Sequence, residues 1–390
     1  MMARPRDIIY VGNPFQADNR TSSHHIARHL SKSHRLIYLE AGGLRAPRAS
    51  RSDLAKIVRR VQLLFTPIQE VEPNIFVKSI FALPFGSHPL IGAVNRKIQR
   101  LTIRRLFRSF ALHNPIIWCV SPALINVVKD VDRSLLVYYC VDDFSSFPDV
   151  DVSLILDLDQ QLTTLSDIVF TPSKPLFDVK KGQAKRCRLS PHGVDLKHFG
   201  RARSAPAVCP EPISGLPQQP IVGFWGLIED WIDLELVFFL ARELADVIFL
   251  MIGRVAVEIP EGQIPDNVRF IGQIPYEQLP EYAYYFTVAI IPYKLNKQVY
   301  NANPLKLREY LATGKPLVSV STPETERYRD VVALADGYEE FLEMLNRELD
   351  GESHATPEAR LRSVENESWS ARYEVIWETV ETLLADKEVS

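Results

Sequence analysis

The sequence predicts an α/β protein of two successive domains, each built on a parallel β-sheet with helices over both faces. Three observations carry this. The chain has 390 residues, too many for one ordinary core and suited to two. Short β-rich runs alternate with helical patterns from near the N-terminus. A break at 200–220, with five prolines and two glycines, interrupts that alternation, which then restarts.

In the first half, 8–12, 35–39, 74–79, 115–120, 135–140, 167–172 and 188–192 read as strands. Between them 22–31, 53–65, 90–112 and 152–165 read as helices. The strands are nearly continuous apolar runs, the pattern of a sheet buried on both faces. After the break, 221–226, 247–253, 268–271, 288–293 and 317–321 are strands. A helix at 232–245 and helices starting at Tyr276 and Pro304 alternate with them, and an amphipathic helix closes the chain. The expected domains are 1–200 and 221–369, with 201–220 as linker and a C-terminal helix over 370–390.

Composition narrows the class. Apolar residues make up 46% and charged residues 24% of the chain, ordinary for a globular protein. No stretch approaches the roughly 18 consecutive apolar residues of a membrane span. The apolar run 8–11 follows the N-terminus too closely to leave room for a signal peptide. Cys119, Cys140, Cys187 and Cys209 show neither metal-ligand spacing nor a dense disulfide pattern, which points to a reducing cytoplasm.

The net charge of -3 hides an asymmetry. Residues 1–200 carry 28 Lys and Arg against 17 Asp and Glu, and the remainder carry 17 against 31. Basic residues concentrate at 45–60 and 96–108, interleaved with Ile98, Leu101, Ile103, Leu106 and Phe107 in the second stretch. A basic amphipathic helix of this kind suits an anionic membrane surface, which would make the protein peripheral on the inner face of the plasma membrane. The bland alternative is a core-packed helix with a solvated basic face. No recognised nucleic-acid module accompanies the charge, so nucleic acid is not expected.

The most informative segment is 301–316, Asn-Ala-Asn-Pro-Leu-Lys-Leu-Arg-Glu-Tyr-Leu-Ala-Thr-Gly-Lys-Pro. Asn303 suits an N-cap and Pro304 the first helical position, with Gly314 as the stop. In open α/β sheets ligands sit beyond the carboxyl ends of strands, and a helix N-terminus there attracts a diphosphate. Lys306 in the first turn opposes the helix dipole, and a bound phosphate would compensate. Glu309, three residues on, shares its face and could accept hydrogen bonds from two ribose hydroxyls. The alternative is a solvated Lys–Glu pair on a surface helix.

In the first half, the loop after 8–12 leads to Arg20-Thr-Ser-Ser-His24-His25, which opens a helix with Ser22 or Ser23 as N-cap. One of the two histidines is expected to pack. Asp142 and Asp143 end the strand 135–140, where a carboxylate pair can bind metal, act as a base or cap a loop.

The segment Asn303-Pro-x-Lys306-x-x-Glu309-Tyr-Leu-Ala-x-Gly-Lys-Pro316 resembles the donor-site helix of family-4 glycosyltransferases, the retaining enzymes of the GT-B fold. Ser190-Pro-His-Gly-Val-Asp-Leu-Lys-His-Phe199, Val222-Gly-Phe-Trp-Gly226 and Ser368-Trp369 with the following helix are similar to three further stretches of that family, in the same order. The resemblance covers 165–390 well and the first half in outline. It implies two facing Rossmann-like domains with a cleft between them and a C-terminal helix crossing back.

The resemblance also implies transfer of a sugar from a UDP- or GDP-linked donor, with retention and without bound metal or other cofactor. The acceptor would be a glycan or a polyprenyl-linked glycan. Glu309 would hold the ribose and Lys306 the diphosphate. Asn301, Asn303, Pro304 and Leu305 would face the sugar and phosphate, with Gly226, Gly253, Arg254 and Tyr293 completing the donor site. Asn13, Arg20, Ser23, His24 and His25 would meet the acceptor, and Asp142 or Asp143 would lie near the reacting sugar. The leaving diphosphate would help deprotonate the acceptor.

Two departures stand out. The family often has a second glutamate where Asn301 stands. Its diphosphate-binding Arg and Lys are missing from 227–233, where Asp233 is expected to cap the next helix. A catalytically degenerate transferase acting as a binding partner therefore stays open, and so does a nucleotide-sugar 2-epimerase, a second enzyme class with the same fold.

Overall fold

The computed structural model describes residues 5–15, 20–41, 67–80, 89–147, 150–259 and 262–389. The chain divides into two compact units, Met1–Pro191 with Arg372–Ser390, and His192–Ala371. The expected helix 53–65 and the basic stretch 45–60 lie outside the described residues.

The first unit is built on an eight-stranded sheet. Its strands are β1 (Asp7–Gly12), β2 (Arg35–Ala41), β3 (Gln69–Glu72), β4 (Ile75–Ile80), β5 (Ile116–Cys119), β6 (Leu135–Tyr139), β7 (Ile168–Thr171) and β8 (Cys187–Leu189), in the order β3-β4-β2-β1-β5-β6-β7-β8. All neighbours are parallel except β3, which turns back on β4. Asn74, at φ 65°, makes that turn. The polar strand Gln-Glu-Val-Glu was not expected, because an edge strand need not carry an apolar pattern. β1, β5, β6 and β7 are buried along almost their whole length, as a sheet covered on both faces requires.

The second unit holds six parallel strands, β9 (Ile221–Trp225), β10 (Ile248–Ile252), β11 (Val268–Gly272), β12 (Val288–Ile291), β13 (Leu317–Val320) and β14 (Ala333–Ala335), ordered β11-β10-β9-β12-β13-β14. β14 is three residues long, too short to leave a pattern. The chain runs outward from β9 to β11, returns to β12 and proceeds the other way. The order thus reverses between β9 and β12, and in the first unit between β1 and β5. Such reversal points are where open α/β sheets bind ligands.

Residues 201–220, expected as a linker, belong to the second unit. They form a 3-10 turn at Gly200–Arg203 and a short helix at Glu211–Ser214, and Ala202 and Ile213 join its core. Proline spacing broke the apolar periodicity without preventing burial. The closing helix is Trp369–Val389. Its part in the first unit places Trp377 against His34, with ring centroids 4.1 Å apart, and Tyr373 against His29.

The basic helix Pro89–Phe110 packs Ile103 and Leu106 into the first unit's core. It presents Arg96, Lys97, Arg100, Arg104, Arg105 and Arg108 to solvent. Among the described residues no helix is long and apolar enough to cross a membrane.

Candidate functional site

The reversal point of the second unit is where β9 and β12 part. Their ladder pairs only Val288 with Val222 and Ala289 with Gly223. Beyond it the Trp225 amide donates to the Tyr310 hydroxyl at 2.8 Å, so a side chain of the helix Leu305–Thr313 supplies an acceptor there. The indole of Trp225 is 3% exposed, 4.0 Å from the Tyr310 ring and stacked on Phe199. This fixes the helix against the end of β9.

The same helix brings its next side chains to the strand end. Lys306 stretches over Gly226, and a Cβ on that glycine would lie 2.6 Å from the lysine Nζ. The ammonium sits over the rings of Phe224 at 4.3 Å and Tyr293 at 5.0 Å. Burial lowers the Lys306 pKa to about 7, with Glu309 opposing the shift. Glu309 accepts from the indole Nε1 of Trp225 at 2.9 Å. Burial raises its pKa to about 7, against the pull of Trp225 and Lys306. A cation and a carboxylate, both costly in a half-buried setting, thus share the opening between β9 and β12.

Gly226 and Gly253 end adjacent strands at φ 138° and 140°. A Cβ on Gly253 would fall 1.9 Å from the Gly226 carbonyl oxygen. Backbone therefore meets backbone here, and the floor of the site is closed by the two glycines. Arg254, the next residue, is exposed. Its carbonyl accepts from Ile228 at 3.0 Å.

The loop 227–233 is held at both ends, by bridges from Ile228 to Val255 and from Ile232 to Tyr293. Asp233 caps the following helix by accepting from the Leu236 amide at 3.0 Å, as expected, and also accepts from the Tyr338 hydroxyl.

The helix start differs from expectation. Pro304 is itself the N-cap and Leu305 the first helical residue, while Gly314 closes the helix in the left-handed region at φ 78°. Asn303 is drawn away from capping because its Oδ1 accepts from Arg308 Nη1 at 2.8 Å. Asn301 ends a short helix, Lys297–Asn301, where a plain loop was expected.

Arg308 escaped the sequence reading. It is fully buried and ion-paired with Glu324 and Glu367, both at 2.5 Å. Tyr328 donates to the same Glu367 oxygen at 2.7 Å. Two distant segments, 324–328 and Glu367, thus converge on the helix that carries Lys306 and Glu309. The only signal in the sequence was a cation on the inward side of a helix.

In the first unit, the reversal point lies beyond β1. The Asn13 carbonyl there accepts from the Tyr38 hydroxyl at 2.8 Å. Thr21, not Ser22 or Ser23, is the N-cap of the helix Ser22–Ser31. The His24 side chain reaches back, its Nδ1 accepting from the Thr21 amide at 3.0 Å. That leaves Nε2 as donor to the Pro14 carbonyl at 3.0 Å. His24 is thus buried with both ring nitrogens engaged by its own turn and the preceding loop, and burial lowers its pKa. Ser23 is also buried, its carbonyl accepting from Tyr10. His25 and Arg20 are half-buried, and burial pushes the His25 pKa to about 3.

The aspartate pair divides its labour. Asp143 caps a 3-10 turn, accepting from the Ser145 amide and from the hydroxyls of Ser145 and Ser146. Asp142 accepts from the Asp143 amide through Oδ1 at 2.8 Å, and burial raises its pKa to about 7.

No family model matches the chain. It is 29% identical over 140 residues to a Bacillus subtilis protein named "Putative teichuronic acid biosynthesis glycosyltransferase TuaH", a match covering 35% of this chain and 34% of that one. The match thus spans about a third of the curated relative's length. Solved structures match far more of the chain. Sucrose-phosphate synthase from Thermosynechococcus elongatus matches 98% of this chain and 100% of its own, at a TM-score of 0.71 and 15% identity. Anabaena HepE, solved with UDP and glucose, matches 96% and 99% at 0.69 and 13%. The structure of trehalose-6-phosphate from E. coli bound with UDP-2-fluoro glucose matches 97% and 99% at 0.67 and 13%. The chain has the GT-B glycosyltransferase fold.

Proposed function

We propose that the protein is a glycosyltransferase that takes its sugar from a nucleotide-sugar donor held by the second unit. The observation that carries this is the placement of Lys306 and Glu309 together at the opening between β9 and β12, over a floor made by Gly226. Lys306 would pair with the diphosphate, and Glu309 would accept from the ribose hydroxyls. Tyr293, Asn301, Asn303, Pro304 and Leu305 would border the sugar, and exposed Arg254 would supply a second cation.

In the reaction, the bond from the anomeric carbon to the diphosphate breaks and a bond to an acceptor hydroxyl oxygen forms. The hydroxyl proton passes to the departing diphosphate. Lys306 would stabilise charge developing on that leaving group, the electrostatic role that contributes most in such chemistry. Retention and independence of metal are part of the proposal. UDP is favoured as the nucleotide because two of the fold neighbours were solved with UDP or a UDP-sugar. The teichuronic acid relative suggests a cell-surface glycan as acceptor, free or polyprenyl-linked. The solvent-facing cations of Pro89–Phe110, with Val94 and Leu101 about 45% exposed among them, support a peripheral place on anionic lipid.

The test is calorimetry of UDP, GDP, ADP and TDP with the wild type and with Glu309→Ala. Selective binding that the variant loses supports the donor site. A folded protein that binds none of the four overturns the reading and favours a second one, a degenerate transferase acting as a binding partner. The loop 227–233, which carries no cation, favours that second reading. Donor turnover with no acceptor would instead indicate an epimerase.

A further inference from the structure

A groove of about 580 Å³ lies in the second unit beyond the ends of β12 and β13, between residues 295–300 and 321–326. It is separate from the Lys306–Glu309 pair, and none of its residues takes part in the donor site proposed above. Its apolar surface comes from Leu295, Tyr300 and Pro323. Leu295 is 59% exposed and Tyr300 58%. Large apolar side chains held this open, side by side in a concavity, invite a ligand with an apolar face.

Both walls are fixed. On one side the Asn296 carboxamide accepts from the Val299 amide at 2.9 Å, and Val299, 3% exposed, anchors the short helix in the core. On the other, the Thr322 amide donates to Thr325 Oγ1 at 2.8 Å, and that hydroxyl donates to the Val320 carbonyl. Glu324 in the same loop is tied to buried Arg308. The groove therefore exists before any ligand arrives.

Polar groups rim the apolar floor. Asn296 has used its oxygen and offers two N–H donors. Glu326 accepts from the Ser321 hydroxyl at 2.7 Å and lies 3.4 Å from Arg329, leaving lone pairs available. A pyranose ring matches this pattern, with C–H bonds on one face for an aromatic ring and hydroxyls around its edge for an amide and a carboxylate. Lys297 also lines the groove, so its rim carries one charge of each sign.

We infer that this groove binds a pyranose residue of the acceptor glycan, stacked on Tyr300 and hydrogen-bonded to Asn296 and Glu326. The word acceptor rests on the transferase reading; the binding of a sugar does not. Tyr300 directly precedes Asn301, which lies only four residues before the start of the Leu305–Thr313 helix. Four residues span at most about 14 Å, so Tyr300 lies near the residues proposed above to border the donor sugar.

Saturation-transfer NMR tests this directly on the full chain, using methyl glycosides of glucose, galactose and N-acetylglucosamine, with and without UDP. The wild type should transfer saturation to the ring protons of at least one glycoside. Tyr300→Ala, at an exposed position, should weaken that signal at least fivefold, and Glu326→Gln should weaken it less. Both variants should keep the wild-type circular dichroism and UDP affinity. No transfer to any of the three glycosides, or equal transfer in Tyr300→Ala, overturns the inference. Glycoside binding without UDP binding would instead remove the donor reading and leave the groove standing.

Discussion

Glu309 accepts a hydrogen bond from the Trp225 indole at 2.9 Å, so one oxygen of the carboxylate assigned to the ribose is already held in place. The indole orients the group and favours its charged form, against a burial cost that would otherwise protonate it. Trp225→Phe removes that donor while keeping most of the stacked bulk. The expected result is a loss of about 1.5–3 kcal/mol in nucleotide binding, the range of a hydrogen bond to a charged group. Calorimetry with UDP measures it.

Nucleotide binding should depend on pH with a maximum near neutrality. Lys306, lowered to about 7, carries its cation below that pH and loses it above. Glu309, raised to about 7, is ionised above that pH and protonated below. Binding requires the lysine charged and the glutamate ionised, so affinity falls on both sides, with limiting slopes near about tenfold per pH unit. The two steps belong to the pair. Lys306→Met should abolish the alkaline limb and Glu309→Gln the acid limb, measured as UDP affinity between pH 5.5 and 8.5.

The two floor glycines should fail differently. An Ala Cβ at Gly253 would strike the Gly226 carbonyl, which is backbone and cannot yield. Gly253→Ala should give little folded protein. At Gly226 the obstacle is the tip of Lys306, a flexible end that can swing aside. Gly226→Ala should remain folded, at a backbone cost of about 1–3 kcal/mol, and bind UDP at least tenfold more weakly. Thermal melts and calorimetry on the two variants separate these outcomes.

Removing Arg308 would leave Glu324 and Glu367 buried without their cation. Arg308→Met should cost about 3–5 kcal/mol and lower the melting temperature by roughly 10 °C. Adding Glu324→Gln and Glu367→Gln should recover part of that loss, since the stranded charges are then gone.

Much of the fold was legible because a buried parallel strand must be apolar throughout, as in Ile116–Cys119 and Ile221–Trp225. The helix bearing Lys306 and Glu309 was legible because proline and glycine bracket it. What escaped depended on partners far away in sequence. Arg308 meets carboxylates 16 and 59 residues on, and that engagement also takes Asn303 from its expected cap. Asp143 and His24, read as candidates for chemistry, also bond their own turns, and a side chain so engaged leaves the same letters as one awaiting a substrate. The groove at Tyr300 was invisible because its walls come from two segments, 295–300 and 321–326, well apart in sequence.

The division of the chain sets an order of events at the ribosome. Residues 192–371 form a continuous unit, whereas the first unit needs both 1–191 and 372–390. Trp377 and Tyr373 supply its last aromatic contacts, and Glu388 pairs with Arg6. Domains generally fold in the order they emerge, but here the earlier half cannot finish until 372–390 have been made. A chain truncated after residue 371 would keep every residue of the second unit and leave His34 of the first without its Trp377 partner.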